Sequence, residues 1–244
     1  MGTALAVTQL VKQYRSPMRA GTPSVRALDS VTFSVDEGET VGVVGPRGAG
    51  KSTLMLCAAG LVRPDAGYVS WFGSAVCGRA APPGIAYVPA RSAYYSFLTV
   101  REALEYYSTL HDLRTQDRAR QVDSAVREVA LVEHASRRVG CLAAPLLQRL
   151  GLAQALIGSP RAILLDETLS GEGLLDCRII QSVLRRLRES GVTLLIGCET
   201  ADEVEGVVDR VIKLANGRVV TPVETAGFAN TPPSRAYRSR TLVS

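Results

Sequence analysis

Residues 45–53 read Gly-Pro-Arg-Gly-Ala-Gly-Lys-Ser-Thr and satisfy the spacing G-x-x-x-x-G-K-[ST]. A compact apolar run, Thr40 to Val44, precedes them and reads as a strand; Ser52 to Ala59 follows and reads as a helix. This order, strand then glycine loop then helix, is the context the spacing needs before it carries meaning. Gly45, Gly48 and Gly50 let the backbone curl so that its N–H groups face inward at an anion, and the following helix adds its positive end. Pro46, Arg47 and Ala49 fill the variable positions, with Arg47 adding a charge to the loop. Lys51 is placed to reach the outer phosphates of a nucleotide, Ser52 to offer a hydroxyl to Mg²⁺, and Thr53 completes the motif. Only three lysines occur in the chain, Lys12, Lys51 and Lys213, so a match in this context is not an accident of composition.

The remaining pattern is that of an α/β protein. Short strands are expected at Ala4 to Leu10, Val31 to Val35 and Ile85 to Val88, and Gly60 to Gly73 reads as a turn followed by an edge strand. Ala162 to Leu165 and Val192 to Ile196 are continuous apolar runs, as buried parallel strands are. From Thr99 to about Ser159 the apolar spacing becomes helical, and Leu174 to Glu189 forms an amphipathic helix with Leu175, Ile179, Val183 and Leu187 on one stripe. Asn216-Gly217 marks a hairpin between Arg210 to Leu214 and Arg218 to Val220. Strands alternating with helices imply a largely parallel sheet.

Composition narrows the function. The chain has 244 residues and 46% hydrophobic content, enough for one or two domains with a real core. No stretch approaches the ~18–20 apolar residues of a membrane span, and the first ten residues do not form a secretory signal. Five cysteines, with no C-x-x-C pair, read as reduced and mostly buried thiols; two histidines are too few for a histidine metal site. The net charge of +5 is spread among interleaved acids, so nucleic acid is not an expected partner.

A second acidic stretch, Arg161-Ala162-Ile163-Leu164-Leu165-Asp166-Glu167, completes a nucleotide site. Asp166 ends a buried strand, where a carboxylate holds Mg²⁺ through its waters, and Glu167 follows where it would polarise an attacking water.

Taken with the phosphate loop, these stretches resemble the ATP-binding subunit of an ABC transporter over roughly residues 4–222. The closest correspondence lies in Q-R-L-G-L-A-Q-A-L-I-G-S-P-R-A-I-L-L-D-E, in I-A-Y-V-P, in P-D-A-G-Y-V and in D-R-V-I-K-L-A-N-G-R-V-V. The segment L-T-V-R-E-A-L-E-Y-Y-S-T-L is similar to ABC-2 type exporters. The resemblance implies a P-loop NTPase core of the RecA-like kind, with an N-terminal antiparallel β subdomain and an inserted α-helical subdomain. Residues 1–98 and 161–222 would form the core with its β subdomain, 99–160 the helical subdomain, and 223–244 a flexible basic tail in which Arg235, Arg238 and Arg240 could touch anionic lipid. It places Tyr14 against the adenine of ATP. Tyr94, Tyr95 and Phe97 would either line the groove that receives membrane subunits or pack locally.

Where the family reads L-S-G-G-Q-R, this chain reads Leu142-Ala143-Ala144-Pro145-Leu146-Leu147. Ala143 has no hydroxyl and Pro145 no N–H, so the grip on a partner's terminal phosphate is lost. The glutamine expected after Y-V-P is Ala90, the switch histidine is Glu199, and an aspartate after Ser170-Gly171 falls at Gly173. A carboxylate at Glu199 would repel a phosphate. Losing one transition-state donor costs about 10²–10³ in rate. The resemblance with these departures implies a subunit that binds ATP and Mg²⁺ but turns over slowly at its own site. Its expected setting is a heterodimer with a more complete ABC subunit, bound to integral membrane transporter subunits at the cytoplasmic face, with export favoured. Two alternatives stay open: an active ATPase with an unconventional γ-phosphate sensor involving Arg47, and a non-transport regulatory or scaffold protein.

Overall fold

The computed structural model describes residues 2–14, 24–76, 83–111, 114–167 and 174–223. Ten strands and five α-helices are described: β1 (Thr3–Tyr14), β2 (Val25–Asp36), β3 (Thr40–Val44), α1 (Lys51–Ala58), β4 (Ala66–Trp71), β5 (Ser74–Ala75), β6 (Ile85–Val88), α2 (Val100–Ser108), α3 (Thr115–Glu128), α4 (Ala144–Leu156), β7 (Ala162–Asp166), α5 (Leu174–Glu189), β8 (Thr193–Cys198), β9 (Arg210–Ala215) and β10 (Arg218–Val223). They form two sheets. An antiparallel sheet runs β2-β1-β4-β5, and a six-stranded sheet runs β10-β9-β3-β8-β7-β6, parallel except for the β9–β10 pair.

The central strands β3, β7 and β8 are buried at every position. This is why they read as unbroken apolar runs: helices or the other sheet cover both faces. Helix α1 lies between the sheets, and its Leu54, Met55, Cys57 and Ala58 share one core with Leu5, Val7 and Leu10 of β1 and Leu164 and Leu195 of the parallel sheet. The fully buried Trp71 donates its indole N–H to the Ala58 carbonyl at 2.9 Å, satisfying an acceptor left open at the end of α1.

A second core forms on the other face of the parallel sheet, where α2, α3, α4 and α5 pack. Helix α2 starts on a capping box, Thr99 and Glu102 exchanging side-chain and backbone hydrogen bonds. The buried Arg149 of α4 donates Nε to Val129 O at 2.9 Å and a further N–H to Ala130 O, tying α4 to the end of α3. The hairpin turn Asn216-Gly217 has φ of 49° and 74°, the paired positive values of a tight two-residue turn.

Three expectations shift. β4 is not an edge, because the two-residue β5 pairs outside it. Of the expected α5 stripe, Val183 is buried and Leu187 packs against the same core, but Ile180 and Leu184 are more buried than Ile179, so the face is centred slightly round from it; the Leu175 side chain lies outside the described residues. Cys57 and Cys198 are buried, and burial pushes their thiols up to about 11 and about 12, but Cys141 is exposed. It is the last residue of a short 3₁₀ turn, Val139–Cys141. The expected tail, 223–244, has its first residue in β10, which ends at Val223; the rest of it, Gly173 and the Cys77 position lie outside the described residues. Among the described residues no helix is long and apolar enough to cross a membrane.

Candidate nucleotide site

The carboxyl ends of β3, β7 and β8 converge, and the site is built on them. Register pairs Val44 with Cys198 and Asp166 with Gly197. Two further hydrogen bonds lace the strand ends together: Gly45 N–H to Cys198 O at 3.2 Å and Glu167 N–H to Gly197 O at 3.0 Å. Ligand sites of open α/β sheets lie at such strand ends.

The loop's glycines have different duties. Gly50 caps α1 with φ of 106°, a conformation that side chains resist. A Cβ there would also meet the Ala27 carbonyl of β2 at under 3.0 Å. Gly45 would meet the Leu214 carbonyl of β9 equally closely, whereas a Cβ on Gly48, at φ of 79°, would have nothing within 4 Å. The loop is thus gripped by backbone at both ends and open in its middle.

Lys51 is 3% exposed, and its ammonium donates to Gly45 O at 2.6 Å and Pro46 O at 3.2 Å and faces Glu167 Oε1 at 3.3 Å. Ser52 donates its hydroxyl to Asp166 Oδ1 at 3.1 Å. The other oxygen, Oδ2, accepts from Tyr87 Oη at 3.2 Å. Tyr87 was not among the expected site residues; it sits inside I-A-Y-V-P, one strand over on β6, and only the β6–β7 pairing reveals its partner. Glu167 has φ of 52°. A non-glycine residue in that region costs about 1–3 kcal/mol and persists where the surroundings over-determine it.

These groups fit Mg²⁺ with a nucleotide polyphosphate. A buried ammonium, inward backbone at a helix start, and a hydroxyl beside a carboxylate are the oxygen and cation chemistry such a ligand needs. Mg²⁺ is commonly held by one or two protein groups together with phosphate oxygens, and Ser52 and Asp166 are the groups placed to do so.

Burial raises the Asp166 carboxyl above its ordinary value and the Glu167 charge adds to this, while the Ser52 and Tyr87 hydrogen bonds and Lys51 oppose it. A raised carboxylate binds protons more tightly folded than unfolded, so its charge weighs against the free fold above the ordinary carboxylate range, and a cation relieves it. Asp166→Asn is therefore expected to raise the melting temperature of the nucleotide-free chain at pH 7. The gain should close as pH falls through the carboxylate range, and Mg²⁺-dependent nucleotide affinity should be lost. Thermal melts across pH, with and without MgATP, check both parts; a lower melting temperature for the variant at pH 7 contradicts the argument.

Arg47 donates Nε to Glu199 Oε1 at 2.6 Å. The hydrogen bond to Arg47 holds the Glu199 carboxyl below its ordinary value, and the Arg47 and Lys51 charges add to that. Glu199 therefore does not face the loop as a bare negative charge, as the sequence suggested. At α4, Ala143 occupies the N-cap without a side-chain hydrogen bond, Pro145 sits in the first turn, and the Leu146 and Leu147 N–H groups turn back to Ala143 O at 3.0 and 3.1 Å. Ala90 follows β6, half-buried and without a polar side chain.

Tyr14 ends β1, 42% exposed as a residue, with Lys12 Nζ 5.6 Å from its ring centroid. Register sets it opposite Val25, two residues from the Ala27 whose carbonyl a Cβ on Gly50 would meet. Of the three expected aromatic groove residues, Tyr95 and Phe97 are exposed, with ring centroids 5.6 Å apart. Tyr94 is half-buried and packs edge-on against Tyr107 at 5.7 Å. Tyr106 takes its place on the surface, T-shaped on Tyr95 at 5.7 Å. Helical spacing in α2 brings it there, which a reading of residues 91–100 alone misses.

The sequence pattern of the ABC transporter family matches residues 28–170. An uncharacterized ABC transporter ATP-binding protein of Synechocystis is 31% identical over 198 residues, 80% of this chain, which spans 56% of that relative's length. The methionine import ATP-binding protein of Streptomyces avermitilis is 32% identical over 94% of this chain and 69% of its own. A solved ATP-binding cassette dimer, described in a post-hydrolysis state with ADP and Pi, superposes with a TM-score of 0.81 at 22% identity, covering 92% of this chain and 100% of that one.

Proposed function

Because this chain belongs to the ABC transporter family, we propose that it is the mainly nucleotide-holding half of a heteromeric complex. That complex couples ATP binding and hydrolysis to transport through separate membrane subunits. The observation that carries this reading is a contrast. The phosphate and metal groups are assembled, with Lys51 buried over the loop and Ser52 bonded to Asp166, while the start of α4 presents Ala143, Ala144 and Pro145 with no capping side chain. In this reading Gly45 to Thr53 cradle the phosphates, Tyr14 supports the base, and Ser52 and Asp166 hold Mg²⁺, which neutralises phosphate charge when bound. Occupancy then outlasts turnover, and ATP at this chain's loop acts as glue between two subunits. A more complete partner would supply the signature facing this loop, and would find none on this chain.

The exposed rings of Tyr95, Phe97 and Tyr106 support a membrane-subunit contact, since aromatic residues are enriched at interfaces. They lie beside a cleft of about 310 Å³ whose lining includes Tyr94, Tyr107, His111 and Gln154. Such a contact would support a setting at the cytoplasmic face of a membrane, and the similarity of the α2 segment to ABC-2 type exporters supports export. Glu167 supports a second reading: it is present, strained, and 3.3 Å from Lys51, as an active ATPase would require.

One comparison separates the two. The complex recovered from native membranes on tagged full-length chain is assayed with Glu167→Gln here, and with the equivalent change in the partner. The nucleotide-holding reading expects less than about a twofold change from the first and loss of most turnover from the second. The reverse pattern makes this chain the engine. Recovery of the chain with no membrane partner defeats the transport assignment.

A further inference from the structure

The loop and the end of β8 carry a charge arrangement that the nucleotide-holding reading leaves unexplained. Five ionisable groups meet at the strand ends: Arg47 and Lys51 on the loop, and Asp166, Glu167 and Glu199 opposite. Lys51 is committed, buried between two loop carbonyls and Glu167. Arg47 differs. Its side chain is 88% exposed, and Glu199 binds it through Nε alone at 2.6 Å. A guanidinium offers five donors in a planar fork, so a bond at Nε leaves the terminal edge of the fork available.

Glu199 is itself held in place. Its backbone N–H donates to Glu203 Oε1 at 3.2 Å, and the Thr200 N–H and hydroxyl donate to the same oxygen at 2.9 and 3.2 Å. The turn after β8 is therefore pinned by one carboxylate, and Glu199 is aimed at the loop. The pair belongs to the phosphate site electrically as well. Glu167 acts on the Arg47 charge and Lys51 on the Glu199 charge.

We infer that Arg47 and Glu199 together read the terminal phosphate of a nucleoside triphosphate: Glu199 is a positioning residue that orients Arg47 through Nε, and the open edge of the guanidinium takes the phosphate. The same contact masks a carboxylate that would otherwise repel the ligand. A planar fork suits phosphate oxygens in a way a lysine ammonium does not. A diphosphate lacks the group being read, so the pair sets preference for triphosphate over diphosphate. This rests on the proposal that the loop binds nucleotide, and it adds which residues sense the third phosphate.

The test is a binding cycle on the full-length chain, by calorimetric titration with MgATP and MgADP. Arg47→Ala is expected to weaken MgATP about tenfold or more, as loss of a charge-assisted hydrogen bond does, and to change MgADP less than about twofold. Arg47→Lys should recover only part of the loss. Adding Glu199→Gln to Arg47→Ala should restore some MgATP affinity, because the unmasked carboxylate is gone. A purely structural role for either residue would move both nucleotides together. Equal loss for the two nucleotides, no loss at all, or no recovery in the double variant each overturn the inference. Lys51→Ala in the same titrations distinguishes the failures. If it binds MgATP like the parent chain, the nucleotide reading itself is wrong; if it does not bind while Arg47→Ala fails to discriminate, only the third-phosphate reader is.

Discussion

Lys51→Ala is expected to remove measurable MgATP binding, a loss of about a hundredfold or more. Two effects add. Hydrogen bonds to charged groups contribute about 1.5–3 kcal/mol each, and a lysine at this position serves more than one phosphate oxygen; two such contacts correspond to about 10²–10⁴ in affinity. The second effect is local. The ammonium also satisfies Gly45 O and Pro46 O and balances Glu167, so its removal leaves carbonyls and a carboxylate facing an incoming anion. Titration of parent and variant checks this, with circular dichroism to establish that both are folded. Affinities within threefold of each other would show that this loop does not bind the ligand through its lysine.

Gly45→Ala and Gly50→Ala are expected to destabilise the fold by about 3 kcal/mol or more each, the range of severe overpacking and backbone strain. At Gly45 the added carbon would strike the Leu214 carbonyl, and at Gly50 the Ala27 carbonyl in a conformation already at φ of 106°. Neither obstacle is a side chain that can rotate away. Gly48→Ala provides the comparison: open space surrounds it, so only the left-handed penalty of about 1–2 kcal/mol remains. Denaturant midpoints should rank Gly48→Ala as the mildest of the three. If all three fall together, the glycines serve only the curl of the loop, and the close approaches of β2 and β9 do not matter.

These glycines show where reading the chain reached its limit. Local chemistry made the phosphate loop, the buried strands and the Asn216-Gly217 turn legible, because each depends on neighbouring residues: a run of apolar side chains, or a pair of positions with φ above zero. The sequence also nominated Ser52 and Asp166 as a metal pair from their motifs, and the structure brings them within a hydrogen bond. It left Tyr94 either in a partner groove or packed locally; folding of α2 against the 91–98 segment turns Tyr94 onto Tyr107 and puts Tyr106 beside Tyr95, which only the structure decides. It read Glu199 as an uncompensated charge, because nothing near it in the chain is an obvious partner.

By itself, then, the sequence determined an α/β chain with a phosphate loop, a second acidic strand end and an unfurnished start to α4. The tertiary structure alone decided which groups meet there. Arg47 and Glu199 are 152 residues apart, Ser52 and Asp166 114, and Tyr87 and Asp166 79. No periodicity or local turn links such positions. They are brought together because crossover helices return the chain to a parallel sheet, and one register delivers the carboxyl ends of β3, β7 and β8 to the same edge. The charge that looked repulsive in one dimension is neutralised in three, because the loop after β3 reaches the turn after β8.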